Sequence, residues 1–205
     1  MIPIIVMSSG AGTNFDAIAT SIEKGKLDAK IMSVISDQEN ALVFAKAKQK
    51  GIPTHFVDFK KSPIESCLQI FSNEKPVFLV LAGFMRILPK KILEYFKSSR
   101  GYYRVTNIHP SLLPSFQGMD AYQKAFHYGV KYTGVTVHLV DEVLDHGPVC
   151  AQMPFDISES NSEAEVIAQG LKVEHALYSD TLAWILPEKF KISKRDKERI
   201  CVFKS

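Results

Sequence analysis

The stretch Ile2-Pro3-Ile4-Ile5-Val6-Met7, followed by Ser8-Ser9-Gly10-Ala11-Gly12-Thr13-Asn14, decides the fold class of this chain. Its first part is a nearly continuous apolar run, which predicts a strand buried on both faces, as in a parallel sheet. After the glycine-rich turn, apolar residues recur at helical spacing from Phe15 to Ile22. The chain therefore begins as a strand, a tight turn and a helix.

The same alternation of strands and helices continues over the first half of the chain. The pattern predicts strands at 30–36, 53–57, 77–82 and 105–108, and helices at 41–50, 62–72 and 89–96. Strands that alternate with helices form right-handed βαβ units around a parallel sheet. Strict alternation at 133–140 and a further strand at 148–153 then predict antiparallel additions, and a long helical pattern follows at 162–186.

These elements predict an α/β fold with an open, mainly parallel, Rossmann-like sheet flanked by helices, and antiparallel strands added towards the C-terminus. A chain of 205 residues is long enough to bury a substantial core. No repeat, low-complexity tract or linker divides it. We therefore expect a single domain over residues 1–205, with a core at about 1–186 and a C-terminal tail at 187–205.

Composition and charge argue against several classes of protein. Hydrophobic residues make up 46% of the chain and charged residues 23%, which is typical of a soluble globular protein. The formal net charge of +3 is too small to predict nucleic-acid binding. No uncharged run approaches the roughly 20 residues of a membrane helix, and the N-terminus lacks the basic segment of a signal peptide. We expect a cytoplasmic protein with no nucleic-acid or membrane partner.

The cysteines and most of the histidines lack the spacing of a metal site. Cys67, Cys150 and Cys201 are odd in number and irregularly spaced, which argues against a disulfide framework or a zinc site. Apart from His109, the histidines carry no ligand spacing and are interpreted as structural, His138 among them. The sequence therefore predicts no metal.

The glycine-rich turn is a candidate phosphate site. Glycines let the backbone approach a ligand closely, and the positive end of the helix that follows favours an anion. The dinucleotide fingerprint G-x-G-x-x-G is not met, because Phe15 stands at its last position, and no Walker lysine follows. The turn suits a monophosphate; the alternative is a plain βα turn capped by Thr13 or Asn14.

Two short segments carry the chemistry: Asn107-Ile108-His109-Pro110-Ser111-Leu112-Leu113-Pro114, and later Leu144-Asp145-His146-Gly147-Pro148. Asn107 and His109 end a predicted parallel strand, where open sheets bind ligands, and they point the same way on an extended segment. An amide can stabilise an oxyanion, an imidazole can carry a proton, and Asp145 can orient the imidazole. The combination predicts acyl transfer without a metal; the alternatives are a packed histidine and an ordinary turn aspartate.

Three stretches closely resemble the folate-dependent glycinamide ribonucleotide formyltransferases of purine biosynthesis: 81–88, 107–114, and 134–138 together with 144–148. The resemblance runs from about residue 2 to residue 186. It implies transfer of the formyl group of 10-formyltetrahydrofolate, the co-substrate, to the amine of 5'-phosphoribosylglycinamide in IMP biosynthesis. It also implies small-molecule partners, no metal, and a monomer or homodimer.

The resemblance assigns roles to residues of this sequence. Asn107, His109 and Asp145 match the catalytic residues of the family. The phosphate and glycinamide of the ribonucleotide are assigned to Gly12, Thr13, Asn14 and Glu174. The folate is assigned to a larger set: Lys61, Met85, Arg86, Ile87, Leu88, Asn107, Val140, Asp141, Leu144 and Asp145.

Some of these positions have another interpretation or depart from the family pattern. Without the resemblance, Met85 and Leu88 would be core residues and Glu174 an exposed charge on a helix. The family usually has an arginine near Lys61; a lysine keeps the charge but loses the bidentate fork. The family also often has asparagine where this chain has Asp37.

The motif at 107–114 with its downstream aspartate also occurs in other enzymes that act on formyl groups, so other functions stay open. A formyltetrahydrofolate hydrolase would carry an N-terminal regulatory domain, for which a first strand at Ile2 leaves no room. A methionyl-tRNA formyltransferase would need a C-terminal RNA-binding domain, and a sugar-amine formyltransferase would lack the phosphate turn. A non-enzymatic nucleotide-binding module would be expected to have lost one of the three catalytic residues. The sequence therefore favours an enzyme.

Overall fold

Strand β1 (Ile2–Met7) and helix α1 (Thr13–Glu23) form where the apolar run and the helical spacing predict them. They belong to a computed structural model that describes residues 1–195 and 199–205. The residues from Ile4 to Met7 have no exposed surface. Because successive side chains of a strand point to opposite faces, β1 is buried on both.

The other elements follow in chain order. The strands are β2 (Ala29–Ser36), β3 (Thr54–Phe56), β4 (Phe78–Leu81), β5 (Val105–His109), β6 (Tyr132–Leu139), β7 (Val149–Asp156), β8 (Phe190–Arg195) and β9 (Arg199–Lys204). The helices are α2 (Leu42–Gln49), α3 (Pro63–Glu74), α4 (Lys90–Tyr95), α5 (Ala121–Tyr128) and α6 (Glu163–Ile185).

The first of two compact units, Met1–Asn107, is built on a parallel sheet. Its strand order is β3-β2-β1-β4-β5, and every neighbouring pair is parallel. Because all strands run the same way, their carboxyl ends meet at one edge of the sheet. The glycine-rich turn after β1, Asp37 after β2 and Gly83 after β4 therefore share that edge.

The second unit, Ile108–Ser205, contains the antiparallel pair β6 and β7. Alternation in the sequence suggests one apolar face for β6, but both faces are buried from Thr133 to Leu139. The buried hydroxyl of Thr136 is satisfied because it accepts from Leu113 N–H at 3.0 Å and donates to the Ser111 carbonyl at 2.7 Å. Buried polar groups need such partners.

Two parts of the second unit were not expected from the sequence. Helix α5 has eight residues and follows Asp120, a left-handed residue whose side chain makes no capping bond. The tail at 187–205, for which the sequence predicted no strand, contains β8 and β9, which pair in antiparallel orientation. Phe190 is 3% exposed and its ring centroid lies 6.1 Å from that of Trp184.

The predicted fold class is confirmed: a mainly parallel sheet with flanking helices, and antiparallel strands towards the C-terminus. No helix within the described residues combines the length and hydropathy needed to cross a membrane. The expectation of a single domain over residues 1–205 stays a prediction.

Candidate active site

Strand β5 carries Asn107 and His109 near its carboxyl end. Asn107 is half-buried and stands in register with Leu81 of β4. His109 is the last residue of the strand and is 4% exposed. Because the two residues are separated by one position on the same strand, their side chains project from the same face. That the amide of Asn107 and the imidazole of His109 act together stays a prediction.

The His109 ring lies between a carboxylate and a backbone carbonyl. Its Nδ1 is 3.4 Å from Asp145 Oδ2, and its Nε2 is 3.0 Å from the Phe116 carbonyl oxygen. A carbonyl oxygen can only accept, so Nε2 carries a proton and donates. The Asp145 carboxylate faces Nδ1, so both ring nitrogens of His109 point at hydrogen-bond acceptors.

Asp145 is held by the loops around it. Its φ of 51° lies in the left-handed region, and its Oδ2 accepts from Gly118 N–H at 2.8 Å. Its own carbonyl accepts from the side-chain amide of Gln117 at 3.2 Å. A Cβ on Gly147 would overlap the Leu139 carbonyl oxygen, so the turn after Asp145 requires glycine there. The structure thus brings the predicted carboxylate to His109.

His138 also lies beside Asp145, although its sequence context indicated only a structural role. Its Nε2 is 4.0 Å from Asp145 Oδ1, and its Nδ1 is 2.9 Å from the Leu139 carbonyl oxygen. Burial lowers the pKa of His138, and the charge of His109 lowers it further, against the opposing effect of Asp145. The fold therefore favours the neutral form of the His138 ring beside Asp145. The sequence signal was weak, because alternation places His138 on the face of β6 expected to be exposed.

The loop from Val140 to Asp145 contains other residues predicted to contact folate. Val140 and Asp141 are partly exposed, and Leu144 is 54% exposed. Asp141 Oδ1 accepts from Val143 N–H at 2.8 Å, and Asp141 Oδ2 lies 2.9 Å from His146 Nδ1. These bonds order the loop that presents Asp145.

The glycine-rich turn enters α1 in a form suited to an anion. Gly12 is the N-cap residue with a φ of 68°, and a Cβ there would lie 2.6 Å from Val43 Cγ2. The N-cap residue is Gly12, which has no side chain to make a capping bond, so the alternative in which Thr13 or Asn14 is the N-cap is wrong. Both residues are instead in the first turn of α1. An uncapped N-terminus presents its N–H groups to a ligand.

The segment 83–88 follows β4 at the same edge of the first unit. Met85 and Ile87 are 66% and 69% exposed, whereas Leu88 is 7% exposed. The interpretation of Met85 as a core residue is therefore wrong, while that of Leu88 agrees with its burial. Neighbouring exposed apolar side chains are typical of a binding surface. Arg86 Nε donates to Asp37 Oδ2 at 2.7 Å, which fixes the middle of the segment.

Glu174 on α6 is buried, so its interpretation as an exposed charge is wrong. It is 6% exposed, and its Oε1 accepts from the Tyr122 hydroxyl at 2.8 Å. The Tyr122 ring packs tightly against Gly170, because a Cβ on that glycine would overlap it. Burial and the neighbouring Glu174 charge raise the pKa of Tyr122, so its hydroxyl stays a donor. The sequence did not single out Tyr122, since α5 was not predicted.

No described contact joins Lys61 to the other predicted site residues of the first unit. Its side chain is 84% exposed, and its Nζ lies 3.6 Å from Asp58 Oδ2. An exposed pair of this kind contributes little stability. Across residues 1–195 and 199–205, no group of three or more His, Cys, Asp or Glu side chains is arranged to hold a metal ion.

Comparison with known proteins relates this geometry to a family. The family model described as formyl transferase matches residues 2–182. The phosphoribosylglycinamide formyltransferase of Bacillus subtilis (strain 168) is 36% identical over 188 residues, covering 88% of this chain and 93% of the relative. The crystal structure of glycinamide ribonucleotide transformylase 1 from Symbiobacterium toebii has a TM-score of 0.88 and 29% identity, covering 98% of this chain and 93% of that one. A formyltetrahydrofolate deformylase from Pseudomonas syringae pv. tomato has a TM-score of 0.85 and 26% identity, covering 99% of this chain and 66% of the deformylase.

Proposed function

Because this chain belongs to the formyl transferase family, we propose that it transfers a formyl group from 10-formyltetrahydrofolate to the amine of 5'-phosphoribosylglycinamide. The products are formylglycinamide ribonucleotide and tetrahydrofolate. This reaction is an intermediate step of IMP biosynthesis. The observation that carries the proposal is the buried pair of His109 and Asp145, with Nδ1 and Oδ2 3.4 Å apart, in a chain of this family.

The ribonucleotide is assigned to two places. Its phosphate lies against Gly12, Thr13 and Asn14, where the uncapped N-terminus of α1 supplies N–H donors and a favourable dipole. Its glycinamide donates to the carboxylate of Glu174, which Tyr122 holds in place. A buried carboxylate with a fixed orientation discriminates between donors that reach it and those that do not.

The formyl folate is the co-substrate, and its ring system is assigned to two segments. Met85 and Ile87 offer exposed apolar surface, and the backbone of 85–88 offers donors and acceptors for the ring edge. The second segment is the ordered loop from Val140 to Asp145. Lys61 stays in this set only as a replacement for the arginine of the family.

Catalysis requires stabilisation of the oxyanion that forms when the amine attacks the formyl carbon. Asn107 donates its side-chain N–H, and the protonated ring of His109 donates a second hydrogen bond. Since Nδ1 faces Asp145, the available donor is Nε2, which must exchange the Phe116 carbonyl for the substrate oxygen. Asp145, whose Oδ2 lies 3.4 Å from Nδ1, keeps the ring oriented.

The second step moves one proton and breaks one bond. The new C–N bond leaves the attacking nitrogen with an extra proton, and the bond from the formyl carbon to folate N10 breaks. A water held by the Asp145 carboxylate carries the proton from the amine to N10, so that no net charge accumulates. No metal is assigned a role in either step.

One assay tests this function. The protein is incubated with 10-formyltetrahydrofolate, with and without 5'-phosphoribosylglycinamide, and tetrahydrofolate release is followed. We expect release to require the ribonucleotide. Asn107→Ala and His109→Ala should each lose about 10²–10³ in rate, as loss of an oxyanion donor does. His127→Ala, on an α5 side chain that is 67% exposed, is the matched control and should keep the rate. Near-normal turnover in either of the first two variants contradicts the assignment.

A hydrolase is the second candidate, because the fold also matches a formyltetrahydrofolate deformylase with a TM-score of 0.85. In that reaction water replaces the amine as the attacking group, and formate is released. The same assay separates the two functions. Tetrahydrofolate release that is independent of the ribonucleotide, with formate as the product, favours the hydrolase.

We also propose that residues 1–205 act as one domain in the cytoplasm, as a monomer or homodimer, without nucleic-acid or membrane partners. Light scattering on the purified protein measures the oligomeric state directly. A larger assembly contradicts this part of the proposal.

A further inference from the structure

Asp37 lies where three carboxyl ends of the first unit's sheet meet. It follows β2 directly, while the glycine-rich turn follows β1 and the segment 83–88 follows β4. β1 pairs with both β2 and β4 in parallel. Asp37 is therefore adjacent to the two segments that the proposed function assigns to the two substrates.

The Asp37 side chain is buried and binds a charged partner. It is 1% exposed, and its Oδ2 accepts from Arg86 Nε at 2.7 Å and from Gln38 Nε2 at 2.8 Å. The Arg86 side chain is 42% exposed, so one end of the pair reaches solvent while the carboxylate does not. A hydrogen bond between two charged groups is shorter and stronger than one between neutral groups.

Ser9, in the turn after β1, contacts the same segment. Its hydroxyl oxygen accepts from Met85 N–H at 2.9 Å, and its own N–H donates to the Gly83 carbonyl at 2.9 Å. The Ser9 side chain also lowers the pKa of the Asp37 carboxyl. Asp37 therefore holds the segment through Arg86, while Ser9 bonds the residue before Arg86.

The charge of Asp37 is stable at neutral pH. Burial alone would raise the pKa of this carboxyl, but hydrogen bonds from Ser9, Arg86 and Gln38, with the charge of Arg86, hold the pKa below its usual value. At neutral pH the Asp37 carboxylate is therefore ionised and accepts hydrogen bonds. Its pair with Arg86 also neutralises the cation in the middle of the segment.

We propose that Asp37 is a positioning residue that fixes the conformation of the segment 83–88 through Arg86, and thereby sets the affinity for the formyl folate. The proposal rests on the proposed function, because the folate is assigned to that segment. The Asp37 side chain is buried and follows β2, whereas Asn107 and His109 are on β5. Loss of the Asp37 side chain should therefore change folate binding and leave the chemical step in place.

Two variants and a control test the proposal. Asp37→Ala removes the acceptor, and we expect the KM for the folate to rise about tenfold, equivalent to about 1.4 kcal/mol. Asp37→Asn keeps an acceptor oxygen without the charge, and we expect a rise of about two- to fivefold, since charged hydrogen bonds are roughly twice as strong as neutral ones. The kcat and the KM for the ribonucleotide should change by less than about twofold. Glu23→Gln, which breaks the 2.8 Å pair with Lys50 elsewhere in this unit, should leave all three constants unchanged.

Hydrogen exchange on the ligand-free protein tests the positioning independently of any activity. In Asp37→Ala, the amides of 83–88 should exchange at least about tenfold faster, because their anchor is lost. The amides of β1 and β4 should keep their protection, which separates local release from general unfolding. Glu23→Gln should exchange like the wild type throughout.

Each measurement has an outcome that contradicts a separate part of the proposal. Unchanged exchange of 83–88 in Asp37→Ala overturns the positioning role, even if the enzyme is active. Faster exchange with an unchanged folate KM, or with a fall in kcat alone, overturns the link to folate affinity. Absence of formyl transfer in the wild type refutes the proposed function, whereas the exchange measurement still decides whether Asp37 holds the segment.

Discussion

Replacement of Tyr122 by phenylalanine removes one hydrogen bond and little else. The Tyr122 hydroxyl donates to Glu174 Oε1 at 2.8 Å, and both residues are nearly buried, at 5% and 6% exposure. The phenylalanine ring keeps the packing against Gly170. Because a phenol of raised pKa stays protonated, the donor is present at every pH at which the protein is folded.

The size of the stability loss in Tyr122→Phe follows from the charge of the acceptor, the Glu174 carboxylate. A hydrogen bond to a charged group contributes about 1.5–3 kcal/mol. We therefore expect Tyr122→Phe to lower the free energy of unfolding by about 1.5–3 kcal/mol. In a chain of this length each kcal/mol shifts Tm by about 2–4 °C, so Tm should fall by about 3–12 °C. The KM for the ribonucleotide should also rise, because the Glu174 carboxylate loses the group that orients it.

Urea unfolding at neutral pH, followed by circular dichroism, measures the first effect, and steady-state kinetics measures the second. Tyr128→Phe is the control, since Tyr128 is on the same helix but 80% exposed, and its effect should stay within about 0.5 kcal/mol. A Tyr122→Phe protein as stable as the wild type refutes the argument that this hydrogen bond stabilises the second unit. A loss of stability with an unchanged ribonucleotide KM separates the structural role from the binding role of Glu174.

Three further changes have defined outcomes. Asp145→Asn removes the charge that faces His109 Nδ1, so turnover should fall about 10²-fold or more; near-normal turnover removes Asp145 from the mechanism. The pKa of His138 is lowered in the fold, so the unfolded chain takes up this proton first and stability is lost as pH falls below 6.5. His138→Gln should reduce that loss, by at most about 1.4 kcal/mol per pH unit, in urea titrations at pH 7.5 and 5.5; equal losses in both proteins contradict it. Gly147→Ala forces a Cβ into the carbonyl oxygen of Leu139 and should lower the free energy of unfolding by about 1–3 kcal/mol, and wild-type stability contradicts the fit.

The regular elements of the first unit were predictable because their signals are local. β1 matches its predicted range, and the other strands and helices of this unit match within one or two residues, as for α3 with Pro63 at its first position. Periodicity of apolar residues and proline at a helix start depend on neighbours a few positions apart. The parallel arrangement followed from the alternation of element types alone.

The elements missed in the second unit lack such signals. α5 begins after its N-cap residue Asp120, whose φ of 59° and lack of a side-chain capping bond differ from those of an ordinary N-cap, and its eight residues make only about two helical turns. β8 and β9 stand in a stretch of closely spaced charges, in which the sequence predicted no strand. Phe190 and Val202 are buried within it, at 3% and 8% exposure. Their burial depends on packing and not on local pattern.

The sequence by itself determined which residue types stand at the carboxyl ends of the strands. The glycine-rich turn after β1 and the pair Asn107 and His109 on β5 follow from short motifs, because each strand delivers its own last residues. Family resemblance then supplied Asp145 and Glu174 as partners, without their surroundings.

Only the tertiary structure decided which side chains meet. Glu174 bonds a tyrosine 52 positions away, and Arg86 bonds Asp37 at a separation of 49. Such pairs also decide the buried state of Glu174, the position of His138 beside Asp145 and the contact of Asp37 with the segment 83–88. Periodicity reports only neighbours along the chain, whereas a hydrogen bond between distant residues forms only where packing of the whole unit brings donor and acceptor together and removes competing water.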